Sequence, residues 1–159
     1  MKKLLLTLII IILCITGFTL YINAKSAGAI RIMHEQTEMQ HIISIEGNEL
    51  NYPFFGLAFH LLYDPKLYEF DHFTLGDFFE TSDDPMAFVD ESLKKPEIVA
   101  GISLKRGQLI DRPEGTFLKL YFNKKEYQPD IHGFVFEHGV FSTFDEERKD
   151  ITEVEFKSI

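Results

Sequence analysis

The hydrophobic and polar positions divide the chain into two unlike parts. From Leu4 to Ile22 the residues are apolar or uncharged without interruption, behind Met1-Lys2-Lys3. At about 1.5 Å per residue this run is long enough to cross a hydrocarbon core of about 30 Å. A core helix of a globular domain would show a polar face, and this run has none. Residues 1–28 are therefore expected to form a signal-anchor or signal peptide, with residues 29–159 as one domain. In that domain, short runs rich in Phe, Tyr, Ile, Leu and Val alternate with Gly, Pro, Asp and Asn, the signature of strands and turns. The pattern predicts strands over 29–33, 40–45, 54–63, 67–75, 86–89, 98–104, 116–122, 131–141 and 151–156. No window beyond residue 30 sustains a 3.6-residue period, and residues 90–95 are expected to make one helical turn at most. About nine short strands at this spacing predict an all-β, two-sheet sandwich.

Within the third strand, period-two alternation assigns faces. Leu57, Phe59, Leu61 and Tyr63 point one way and form the bulky set expected in the core. Ala58, His60 and Leu62 point the other way. Ala58 and Leu62 are unusual on a fully solvated face. Two explanations stand: neighbouring loops cover this strand on both sides, or the second face binds a partner.

Composition narrows the function. Lys2 and Lys3 are expected to remain cytoplasmic, with the rest of the chain outside. The run exceeds the about 7–15 residues usual for a cleavable segment, which favours an uncleaved anchor. Ala24-Lys25-Ser26 and Ala27-Gly28-Ala29 are nonetheless possible cleavage sites, and cleavage would give a secreted domain. Cys14 follows the bulky Leu13, unlike a lipidated cysteine, and is the only cysteine, so no disulfide holds the domain. The chain carries 16 basic and 25 acidic residues; without Lys2 and Lys3 the balance is 14 against 25, or −11. Such a surface repels nucleic acid and anionic headgroups.

Residues 56–70, Gly-Leu-Ala-Phe-His-Leu-Leu-Tyr-Asp-Pro-Lys-Leu-Tyr-Glu-Phe, are followed by Leu75-Gly76-Asp77-Phe78-Phe79. This pattern resembles the cohesin family, in which an alternating strand runs into Tyr-Asp-Pro and a later Gly-Asp precedes a variable loop. The segments at 98–104, at 115–122 and at 134–145 with 151–156 fall in the order of the later cohesin strands. The resemblance implies a nine-stranded jelly-roll sandwich that acts as a non-catalytic binding module. Cohesins bind dockerins through one sheet face to which the third strand contributes, which would place Ala58, His60 and Leu62 on a partner-binding face. The chain has neither the Pro/Thr-rich linkers of scaffold proteins nor a duplicated dockerin calcium loop. A carbohydrate-binding module of the same architecture, and a structural subunit of an envelope assembly, are the alternatives.

Catalytic patterns are scarce. No serine sits in Gly-x-Ser-x-Gly, and the domain has no thiol nucleophile. His34, His41, His60, His72, His132 and His138 form no His-x-His or His-x-x-x-His pair and are expected to be scattered, surface or half-buried. His132 and His138 alone do not make a zinc site. Asp77, Glu80, Asp83, Asp84, Asp90 and Glu91 form an acidic neighbourhood without the spacing of a calcium loop. Neither a metal nor another cofactor is expected. For polysaccharide, the chain lacks Trp; Tyr52, Phe54, Phe55, Phe78, Phe79 and Tyr127, near turns, are the rings expected to be exposed.

Overall fold

The computed structural model describes residues 28–79, 85–105, 107–125, 133–143 and 155–158. The proposed membrane or signal segment, Tyr127, His132 and most of the acidic loop after Phe79 therefore lie outside the described residues. Among the described residues no helix is long and apolar enough to cross a membrane.

Nine strands are described: β1 (Ala29–Gln36), β2 (Gln40–Asn48), β3 (Phe54–Tyr63), β4 (Tyr68–Leu75), β5 (Met86–Glu91), β6 (Glu97–Ser103), β7 (Gly115–Lys124), β8 (Phe134–Thr143) and β9 (Glu155–Ser158). They form two sheets, ordered β4-β7-β2-β1-β9 and β5-β6-β3-β8. All pairings are antiparallel except β1 with β9, which is parallel. The expected nine-stranded sandwich is thus observed. Residues 90–95 make no helical turn, within the expected limit of one: Asp90 and Glu91 end β5, and a bend carries the chain into β6. Among the described residues a 3₁₀ turn occurs at Asp77–Phe79.

The Asp64-Pro65 turn closes as the sequence implies. The Asp64 carbonyl accepts the Leu67 and Tyr68 amides, and its Oδ1 accepts the Lys66 amide at 2.9 Å. Leu57, Phe59, Leu61 and Tyr63 are all buried, as alternation predicts, and meet Ile98, Ala100 and Ile102 of β6 and the β7 side chains Phe117, Leu120 and Phe122 in one core. Its described members run from Ile30 to Phe141.

The aromatic residues near turns are placed otherwise than expected. Phe54, Phe78 and Phe79 are buried, at 0%, 1% and 5% exposure. Phe54 meets Phe78, Phe117 and Phe141 with ring centroids 5.0–5.1 Å apart, while Phe78 sits 4.7 Å from Phe117. The 3₁₀ turn carries Phe78 and Phe79 inward, where they join Phe54 of β3 in the core. Tyr52 and Phe55 pack against it from the side.

Gly76 permits this arrangement. A Cβ there would stand 2.2 Å from the Thr116 carbonyl oxygen, so only glycine lets the chain pass β7. Asp77 then locks the turn: its Oδ1 accepts the Thr116 amide at 2.6 Å, and Arg112 donates to its Oδ2 and its carbonyl at 3.1 Å each. The Thr116 amide, and secondarily Arg112, hold the Asp77 carboxyl below its ordinary range. Arg112 also lies over the Phe78 ring at 5.5 Å.

Candidate protein-docking face

Pairing registers set the outer face of the β5-β6-β3-β8 sheet in rows. Met86, Ser103, Gly56 and Ser142 form the first; Phe88, Gly101, Ala58 and Val140 the second. Asp90, Val99, His60 and Glu137 form the third, and Glu97, Leu62 and Val135 the fourth. Ala58 is exposed, while His60 and Leu62 are half-buried, so all three sequence-predicted residues share this outer face. They lie on β3, an inner strand of the sheet.

Ala58, His60 and Leu62 are only the central stripe. Met86 (61% exposed), Phe88 (60%), Val135 (56%) and Val140 (50%) extend the face on both sides. Val135 and Val140, five positions apart, would point to opposite faces of a regular strand. The register between Ala58/His60 and Val140/Glu137 slips by one, leaving an extra residue in β8 that brings both valines to the same side. A solvated sheet face would carry polar side chains at these positions.

The third and fourth rows hold a charged network. Glu97 is 3% exposed; its Oε1 meets His60 Nδ1 and Lys95 Nζ at 2.8 Å each. Lys95 also approaches Glu137 Oε2 at 3.7 Å. Hydrogen bonding from Lys95, and then from His60, holds the Glu97 carboxyl below its ordinary value although burial opposes this; the same contact raises Lys95. A buried carboxylate would be costly alone, and these partners keep it charged. His60 is thereby fixed as a structural partner of Glu97. Sequence reading did not select Glu97, whose signal was its parity with Val99, Gly101 and Ser103 against Ile98, Ala100 and Ile102.

Other titratable and nucleophilic side chains are for the most part distributed. Ser92 and Lys95 stand at Ser-x-x-Lys spacing, but Lys95 is committed to Glu97, and Ser92 Oγ accepts the Lys94 amide at 3.4 Å. Among the described residues no three His, Cys, Asp or Glu side chains converge as a metal site would require. The histidines are not all scattered: His34 Nδ1 and His41 Nε2 lie 3.0 Å apart, and His41 is fully buried. His41 stacks on Phe134 at 4.8 Å and contacts Tyr68 at 5.5 Å, inside the sandwich and away from the outer face. The burial of Phe54, Phe78 and Phe79 removes three of the six rings expected to be exposed.

No family model matches the chain, and no curated protein matches it. Solved structures do. A type II cohesin from Bacteroides cellulosolvens is similar with a TM-score of 0.66 at 12% identity, over 83% of this chain and 95% of that one. A type I cohesin from Pseudobacteroides cellulosolvens gives 0.59 at 16% identity, over 82% and 88%. A cohesin of Acetivibrio cellulolyticus scaffoldin B, solved in complex with a dockerin mutant, gives 0.60 at 12% identity, over 84% and 94%. The chain has the cohesin fold.

Proposed function

We propose that this protein is a non-catalytic, cohesin-type binding module that docks a dockerin-like protein partner on the outer face of the β5-β6-β3-β8 sheet. The observation that carries the reading is the set of apolar side chains that adjoin one another on that face, Met86, Phe88, Ala58 and Val140, with Leu62 and Val135 beyond the charged row. Contiguous exposed apolar surface of this kind marks interaction sites. The cohesin fold gives it a precedent, since one similar structure is a complex with a dockerin. Lys2-Lys3 and the apolar run to Ile22 support display on the outer side of a membrane, or secretion if the segment is cleaved.

The test is biolayer interferometry of residues 28–159 against a panel of type I and type II dockerin modules, with Ala58→Glu and Leu62→Lys as variants. Each variant is expected to weaken binding by about tenfold or more, equivalent to about 1.4 kcal/mol, with an unchanged melting temperature. Unaltered binding by both folded variants would refute the proposed face. Unfolding of both would show that the face is core.

A further inference from the structure

Gly101 has no structural reason to be glycine. It sits in the middle of β6, paired to Ala58 on one side and Phe88 on the other, with no register slip at either pairing. It is not among the positive-φ residues, so its backbone suits any L-amino acid. A Cβ built on it meets nothing within 4 Å, so no neighbour excludes a side chain. Glycine weakens a strand interior, and its remaining common use there is to let another chain approach closely.

The space above Gly101 is a groove of about 680 Å³, floored by Gly56, Ala58 and Gly101 and walled by Phe55, Met86 and Phe88. One row along the strands, a step of about 7 Å, the face changes from apolar to acidic. Asp90 and Glu137 lie in that row, and Glu97 lies in the row beyond. Lys95 is the one ammonium paired to these carboxylates among the described residues, leaving the face net negative. An occupant complementary to both features has an apolar projection beside a cation.

We propose that the groove over Gly101 is the socket of the docking face, receiving a bulky apolar side chain of a protein partner that also places Lys or Arg opposite Asp90 and Glu137. The inference rests on the docking face proposed above and assigns the chemistry of what binds there.

The experiment selects a phage-displayed library of random peptides on the full chain in lipid nanodiscs, then measures enriched clones against wild type, Gly101→Leu, Phe88→Ser and Leu62→Lys. Gly101→Leu fills the socket from a position where folding leaves room, and Phe88→Ser removes an exposed wall. Thermal unfolding verifies that each variant is folded. Enriched clones are expected to share a large apolar residue near a Lys or Arg, and to lose about tenfold or more in affinity on both socket variants. Clones that tolerate Gly101→Leu and Phe88→Ser but fail on Leu62→Lys would overturn the socket while sparing the face. Clones indifferent to all three would overturn both. Enrichment without the apolar-basic pair, or no enrichment, would overturn the socket.

Discussion

Lowering the pH should loosen this domain through His41, and the size of the effect follows from where that ring lies. His41 is fully buried in β2. It is faced by His34 from β1, Tyr68 from β4 and Phe134 from β8, with Lys124 of β7 acting on it electrostatically. Its Nε2 is engaged with His34, while its Nδ1 has no partner. We assign Nε2–H as the donor to His34 Nδ1, since this leaves Nδ1 a bare acceptor and not a stranded N–H. A second proton would have to sit on Nδ1 among aromatic rings. Burial, then His34 and Lys124, accordingly lower His41 from 6.5 to about 4.

In the unfolded chain the same ring protonates near 6.5, so between that value and about 4 the unfolded state binds more protons. Stability from this group is therefore complete above about pH 6.5, is lost as the pH falls toward 4, and changes no further below. A depression of that size is worth about 3 kcal/mol in full, of which about 2 kcal/mol disappears between about pH 7.5 and 5. His34, also lowered by burial, acts in the same direction. The assay is urea unfolding of residues 28–159, followed by far-ultraviolet circular dichroism across this range, for wild type and His41→Phe. Wild type should lose about 2 kcal/mol more than the variant, because phenylalanine keeps the stack on Phe134 without titrating. Parallel pH profiles would refute the assignment of a buried neutral His41.

Two further perturbations test the turn at Gly76 and Asp77. Gly76→Ala should destabilise by about 3 kcal/mol or more, because its methyl group collides with the Thr116 backbone; thermal melting would check this, and a change below 1 kcal/mol would contradict the close passage. Asp77→Ala should cost about 1 kcal/mol at neutral pH by stranding the Thr116 amide and releasing Arg112, as measured by urea unfolding. As the Asp77 carboxyl is lowered in the folded state, that contribution is full above its unfolded value of 3.8 and is lost as the pH falls through the folded value. The wild-type and Asp77→Ala stabilities should therefore converge in strong acid.

Period-two alternation made the third strand legible, because each inward side chain of β3 is large and each step of a regular strand reverses direction. Ala58, His60 and Leu62 were therefore recognisable as sharing the other face. The contribution of β8 was not, since an extra residue in the strand undoes the parity that such reading depends on. Phe54, Phe78 and Phe79 were misjudged for a related reason. Nearness to a turn suggests exposure, yet a sandwich needs large side chains to close its ends, and the packing of Phe78 on Phe117 is a contact between residues far apart in sequence. His34 and His41 escaped the usual metal spacings because they are diagonal neighbours across the β1–β2 hairpin, where His34 faces Ile43 and His41 faces Gln36. Glu97 lay at the margin of a predicted strand and acquired its role only once Lys95 and His60 converged on it.

If one sheet face docks a protein partner, amide chemical-shift mapping will locate the contact on that face. Nitrogen-15-labelled residues 28–159 would be titrated with the dockerin panel. Shifts should concentrate on β3, β5, β6 and β8, centred on Phe88, Gly101, Ala58, Leu62 and Val140, with β1, β2, β4 and β7 little changed. Shifts centred on the β4-β7-β2-β1 sheet, or none with any dockerin, would contradict docking on this face.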